Sequence, residues 1–160
     1  MSRLSRLASL LQALVWFAIL LLVLMPSAAW LLGLTASARG MDQPLIERVT
    51  IWAIAMPPYL LVAFGLTQLA AFCRGIRTHR LFTLDAMKGL QRFGWSLLAA
   101  SLFYLPSRLM PVWLGLTDVG LGPLPFLAPT LGVIFGLVFV AFANVLSEAS
   151  RLADENASFV

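Results

Sequence analysis

Charge is what this chain has least of: 11% of its residues are Asp, Glu, Lys or Arg, while 61% are hydrophobic. A soluble domain carries about 25% charged and about 45–50% apolar residues, so a water-solvated globule is excluded and lipid is the solvent. Cysteine is almost missing as well. The single Cys73 rules out an internal disulfide and any cysteine-rich metal site, and at the end of an apolar run it reads as a small boundary residue. The one histidine, His79, stands in a basic segment without a nucleophile or carboxylate at motif spacing. No glycine-rich phosphate loop and no metal-ligand spacing occurs, so the expectation is a protein that is not an enzyme and takes no cofactor or metal. In a chain of 160 residues, four spans of about 20 residues use half the length. The remaining connectors are too short to bury a core of their own, which predicts one membrane domain over residues 1–160.

What the sequence does have is four long apolar runs, at residues 7–34, 49–73, 93–116 and 126–146. The first follows Arg3 and Arg6 and precedes Ala36-Ser37-Ala38, which imitates a signal-peptidase site. A secretory apolar region is only about 7–15 residues, so this longer run is expected to stay as the first helix. Between the second and third runs, the connector 74–92 carries Arg74, Arg77, Arg80, Lys88 and Arg92 against Asp85 alone. Short loops rich in Lys and Arg resist translocation, which puts this connector on the cytoplasmic side. The first loop balances Arg39 and Arg48 against Asp42 and Glu47, and the third has only Asp118. The predicted fold class is therefore all-α integral membrane, with four transmembrane helices, N-in and C-in, as two in-out-in hairpins forming a bundle. The high pI of 10.2 follows from positive charges at span ends, where anionic lipid headgroups meet them. No separate basic reading helix is present, so direct nucleic-acid binding is not expected.

All nine prolines fall in the outer half or outer loops of that topology, with Trp30, Trp52 and Trp113 at the outer interface and Trp95 at the inner one. Pro26 and the Pro57-Pro58 pair remove backbone donors within spans, so the outer half is expected to be kinked or broken. Thr83 suits an N-cap, Asp85 complements the dipole behind it and Phe82 can staple onto Met87, which starts the third helix before the membrane. The fourth helix continues into the tail 147–160, where Leu146, Ala149, Leu152 and Ala153 keep one apolar face and Glu148 and Arg151 pair at i,i+3.

Connector and tail carry opposite charge and emerge on one side, so Arg74, Arg77, Arg80, Leu81, Phe82, Lys88, Glu148, Arg151, Glu155 and Asn156 form a candidate partner-binding surface. On this reading the Leu81-Phe82 corner rests on the tail near Phe159-Val160; on the other, the tail frays and the connector only touches headgroups. Gln12, Gln68, Ser96 and Asn144 come to about one depth near the cytoplasmic face. Either they face inward as a polar intramembrane layer, joined by interhelical hydrogen bonds, or they are polar residues tolerated near an interface in any direction. Arg108, the one ionisable residue well inside an apolar run, is a functional-site candidate by its position. Snorkelling to the outer headgroups or pairing with Asp118 or Glu47 also accounts for it. Gly132 and Gly136 form a GxxxG notch whose partner is another helix of the chain or, in a homo-oligomer, a second copy. Pro26-Ser27 with Trp30 and Pro106-Ser107 with Trp113 suggest an internal repeat, though apolar segments also match by chance.

Gly75, then Leu81-Phe82-Thr83, Leu90 and Phe93-Gly94, followed by Leu146-Ser147-Glu148-Ala149 and Leu152-Ala153-Asp154-Glu155-Asn156, resemble the small bacterial four-span proteins of the domain-of-unknown-function family 2975. The likeness runs from about Leu66 to the end, and the tail departs from the family in closing on Phe159-Val160 instead of a Thr-Ile pair. The resemblance implies a bacterial inner-membrane location and a frequent genomic neighbour encoding a small helix-turn-helix regulator, and it implies no catalytic residues. The function expected is a membrane anchor or regulator for a soluble cytoplasmic partner such as that regulator. The alternative is a small-molecule or lipid binding or transport component built around the proline-rich outer half.

Overall fold

The computed structural model describes residues 3–31, 44–77, 84–116 and 124–157, and the side chains of residues 9–29, 44–74, 87–116, 126–152 and 155. They form four helices and no strand: α1 (Arg3–Leu31), α2 (Leu45–Arg77), α3 (Leu84–Trp113) and α4 (Leu124–Ala157). Each helix covers most of one apolar run and begins before it, and α2 and α4 also continue past its end. At 34 residues and about 1.5 Å per residue, α4 is some 51 Å long, well beyond a hydrocarbon core of about 30 Å.

Local chemistry sets the helix ends. Pro44 cannot donate but its carbonyl accepts from Glu47 N at 3.1 Å and Arg48 N at 3.3 Å, which opens α2. α3 begins at Leu84, directly after Thr83, which itself lies outside the described residues. The same helix stops in a Schellman turn: Leu116 N donates to Pro111 O at 2.9 Å and Gly115 N to Val112 O at 3.0 Å. That turn needs a left-handed residue, and Gly115 supplies it at φ 68°. The expected break in the outer half does not occur. Pro26, Pro57, Pro58, Pro106, Pro111 and Pro129 all lie inside unbroken helices, as neighbouring helices in an apolar setting allow.

The helices pack in chain order, α1 on α2, α2 on α3 and α3 on α4, and no other pair of described helices brings Cα atoms within 8 Å. Each neighbouring pair is antiparallel. The α2/α3 and α3/α4 seams are built on small residues. Gly65 faces the Ser96 side chain and Gly89 faces the Gln68 carbonyl across the first. Across the second, a Cβ at Gly94 would stand 2.8 Å from the Gly136 carbonyl oxygen, and one at Gly136 would stand 2.9 Å from the Gly94 carbonyl oxygen. The GxxxG notch therefore receives α3 of the same chain, and the Phe93 and Phe139 rings, 4.9 Å apart and edge to face, lock the seam beside it.

Ile51 and Leu90 are the largest fully buried side chains, one on each inner helix. Outside this seam the surface is apolar: Leu10, Leu14, Phe17, Leu24, Leu102, Phe103, Phe135 and Phe142 are among many large hydrophobics left exposed. A surface of this kind suits lipid and not water. α1, α2 and α4 are each long and apolar enough to cross a membrane, over Ser9–Ala29, Leu45–Arg74 and Phe126–Leu152. α3 is the least apolar of the four and lies between α2 and α4, where its Ser96, Ser101 and Ser107 are buried and bonded to their own helix carbonyls.

Polar contacts at Ser27 tie α1 to α2. The Trp52 indole donates to the Ser27 hydroxyl at 3.2 Å, and that hydroxyl donates to Val23 O at 2.6 Å one turn back. Trp52 is thus half-buried between helices and not simply a belt residue. Ser27→Ala should lower stability in detergent by about 0.6 kcal/mol, and a loss well above about 1.7 kcal/mol would assign the serine another role.

Candidate functional site

Two places bring polar chemistry to the bundle. At the connector end, Arg74, Lys88 and Arg92 are exposed on α2 and α3. Opposite them, α4 presents Glu148, Arg151 and Glu155 on its solvent side, with Arg151 Nη2 2.6 Å from Glu148 Oε1 and Nε 3.8 Å from Glu155 Oε1. Both pairs are exposed, so each contributes about 0–1 kcal/mol and mainly orders the ladder. A groove of about 140 Å³ separates the helices here, lined by Met87, Lys88 and Gln91 from α3 and Ala143, Asn144 and Ser147 from α4. Of the other candidate partner residues, Arg77 and Asn156 are helical with side chains outside the description. Arg80, Leu81 and Phe82 lie outside the described residues, and so does the expected docking of that corner on the tail.

The four residues expected to make a polar layer are not joined. Ser96 is buried, but it faces Gly65 and donates to Phe93 O at 2.7 Å. Gln12 and Gln68 are half-buried and Asn144 is exposed, and no hydrogen bond links them among the described residues. Gln12 Oε1 is buried without a partner. The reason is lateral placement: equal depth puts residues at one level, but α1 and α4 are not neighbours, so Gln12 and Asn144 cannot meet.

The second place lies in the half of the bundle away from the connector. Leu22 of α1, Pro58, Tyr59 and Val62 of α2, Leu97, Ala100, Ser101 and Tyr104 of α3, and Ala128, Pro129 and Gly132 of α4 line an open apolar cavity of about 210 Å³. α1 and α4 thus flank the central pair on one side and leave a gap between them. The only two tyrosines of the sequence both line it. One turn beyond, the Arg108 guanidinium carbon sits 5.7 Å from the centre of the Tyr104 ring, within cation–π range. Among the described residues no carboxylate pairs with Arg108, Glu47 included, and Asp118 lies outside them.

The family is decided at this point by residues 40–160, which match the sequence model described as "Protein of unknown function (DUF2975)". The chain belongs to DUF2975. The match takes in α2, α3 and α4 and reaches back well before Leu66, where the motif likeness begins, while α1 precedes it. No curated protein and no solved structure gives a significant match. For this DUF2975 chain the cavity is the feature that motif reading missed. Its signal was composition at depth: both tyrosines and two of the prolines cluster in one half of the spans, beside the lone Arg108. Among the described residues, no group of three or more His, Cys, Asp or Glu side chains is placed to hold a metal ion.

Proposed function

We propose that this protein is a non-enzymatic membrane anchor or regulator that holds a soluble cytoplasmic partner, such as a small helix-turn-helix regulator, at the bacterial inner membrane. All four helices cross in this reading, because α3 packs antiparallel along α2 and α4 over its length, and the connector end faces the cytoplasm. The observation that carries it is the length of α4, which runs unbroken to Ala157, beyond its apolar stretch Phe126–Leu152. Its ladder of Glu148, Arg151 and Glu155 stands beside the cationic ends of α2 and α3. A helix that leaves the bilayer with ordered charges and a groove at its base offers a soluble protein both a rigid post and a recessed edge.

The test is affinity purification of the whole chain from mild detergent with identification of soluble proteins that co-elute. Deleting residues 154–160 should release the partner while the bundle elutes unchanged, since Glu155, the described side chain of that segment, is exposed. Partner retention unaffected by that truncation would count against the proposal.

A second reading, a lipid or small-molecule binding component, is favoured by a separate observation, the cavity that all four helices line. Labelling of the cavity residues by an apolar photoprobe in a reconstituted bilayer tests it.

A further inference from the structure

We infer that the cavity and Arg108 together form a site for an anionic phospholipid of the leaflet away from the connector, with one acyl chain in the cavity and the phosphate-bearing headgroup at Arg108. The inference rests on the ligand-binding reading of the cavity and adds the class of ligand. The cavity is about 210 Å³, below the range of about 300–1,000 Å³ that encloses a whole small molecule. It suits part of a chain whose remainder lies in the bilayer, and the gap between α1 and α4 gives that chain a way in from the side.

The headgroup must decide the affinity. An acyl chain moving from bilayer to cavity exchanges one apolar surrounding for another, so chain burial contributes little net free energy. What differs is the rim. Arg108 is half-buried and lies over the ring of Tyr104, a residue of the cavity wall, and no carboxylate among the described residues neutralises its charge there. A guanidinium binds phosphate oxygens through paired N–H donors, and Tyr59 and Tyr104 line the cavity next to it. A zwitterionic headgroup carries its own cation next to the phosphate and gains less from Arg108. The connector cations lie at the opposite end of α3, so this site is distinct from any headgroup contact there.

The experiment uses the whole chain in nanodiscs of phosphatidylcholine doped with phosphatidylglycerol or phosphatidylcholine carrying a diazirine in the acyl chain, with crosslinked peptides mapped by mass spectrometry. The phosphatidylglycerol probe should label peptides around Leu22, Val62 and Gly132 about fivefold more than the phosphatidylcholine probe, the bias of about one basic residue near a membrane surface. Arg108→Gln should abolish the preference, Arg108→Lys should keep most of it, and Val62→Phe should reduce labelling by both probes. Equal labelling by the two probes would overturn the anionic site while leaving the cavity as a chain-binding pocket. Cavity labelling no higher than that of the lipid-facing residues Leu14 and Phe17 would overturn both. The wild-type comparison decides the matter even where a variant fails to fold.

Discussion

Replacing Gly94 with valine is expected to force α3 and α4 apart and to remove most of the folded protein from detergent solution. The Cβ alone would stand 2.8 Å from the Gly136 carbonyl oxygen and 3.0 Å from Val140 N, both backbone atoms that no rotamer change can move. Overpacking of this kind costs about 1–3 kcal/mol even where side chains can yield, so Gly94→Ala should reach the lower part of that range and Gly94→Val exceed it. The seam has little to compensate, because close backbone approach is the main attraction between helices in lipid. The comparison variant is Ala141→Val, at an exposed position of α4, where the change should stay within about 0.5 kcal/mol. Denaturant unfolding followed by circular dichroism measures all three, and a Gly94→Val protein as stable as the parent would show that the two helices do not meet at this seam.

The second large effect concerns orientation. In the proposed topology eight of the eleven Lys and Arg residues face the cytoplasm, Arg39 and Arg48 face outward and Arg108 lies within a span. Changing Arg74, Arg77, Arg80, Lys88 and Arg92 to glutamine leaves Arg3, Arg6 and Arg151 inside against the two outside. Orientation follows the Lys and Arg bias of short loops, so the variant should insert in both directions where the parent inserts in one. Protease protection in membrane vesicles of known sidedness reads the two populations. A variant that still inserts wholly in one orientation would mean that another feature, such as the first helix alone, sets the topology.

The helices were legible in the sequence because lipid imposes a length and a composition on every span, and the long apolar runs record both. Thr83 and the long tail pattern also mark where α3 begins and why α4 continues, whereas α2 begins at Leu45, ahead of its apolar run. The order of packing was not legible. Hydropathy gives depth along the membrane normal but not the direction in which a residue points, and no hydrogen bond links Gln12, Gln68 and Asn144 among the described residues. The Gly132/Gly136 notch announced a close approach without naming its partner, and only the facing Gly94 backbone identifies α3. The cavity was hidden for the same reason, since its wall is assembled from all four helices. Trp52 reads as an interface residue from its position, and its bond to Ser27 depends on the lateral placement of α1.

The placement of the basic connector underlies the partner surface, the leaflet of the cavity and the sense of every loop. Paired fusions after Arg80, one to green fluorescent protein and one to alkaline phosphatase, test it most directly in cells. A cytoplasmic junction gives a fluorescent first fusion and an inactive phosphatase, and this is the expected result; an active phosphatase with a dark first fusion would contradict the proposed topology.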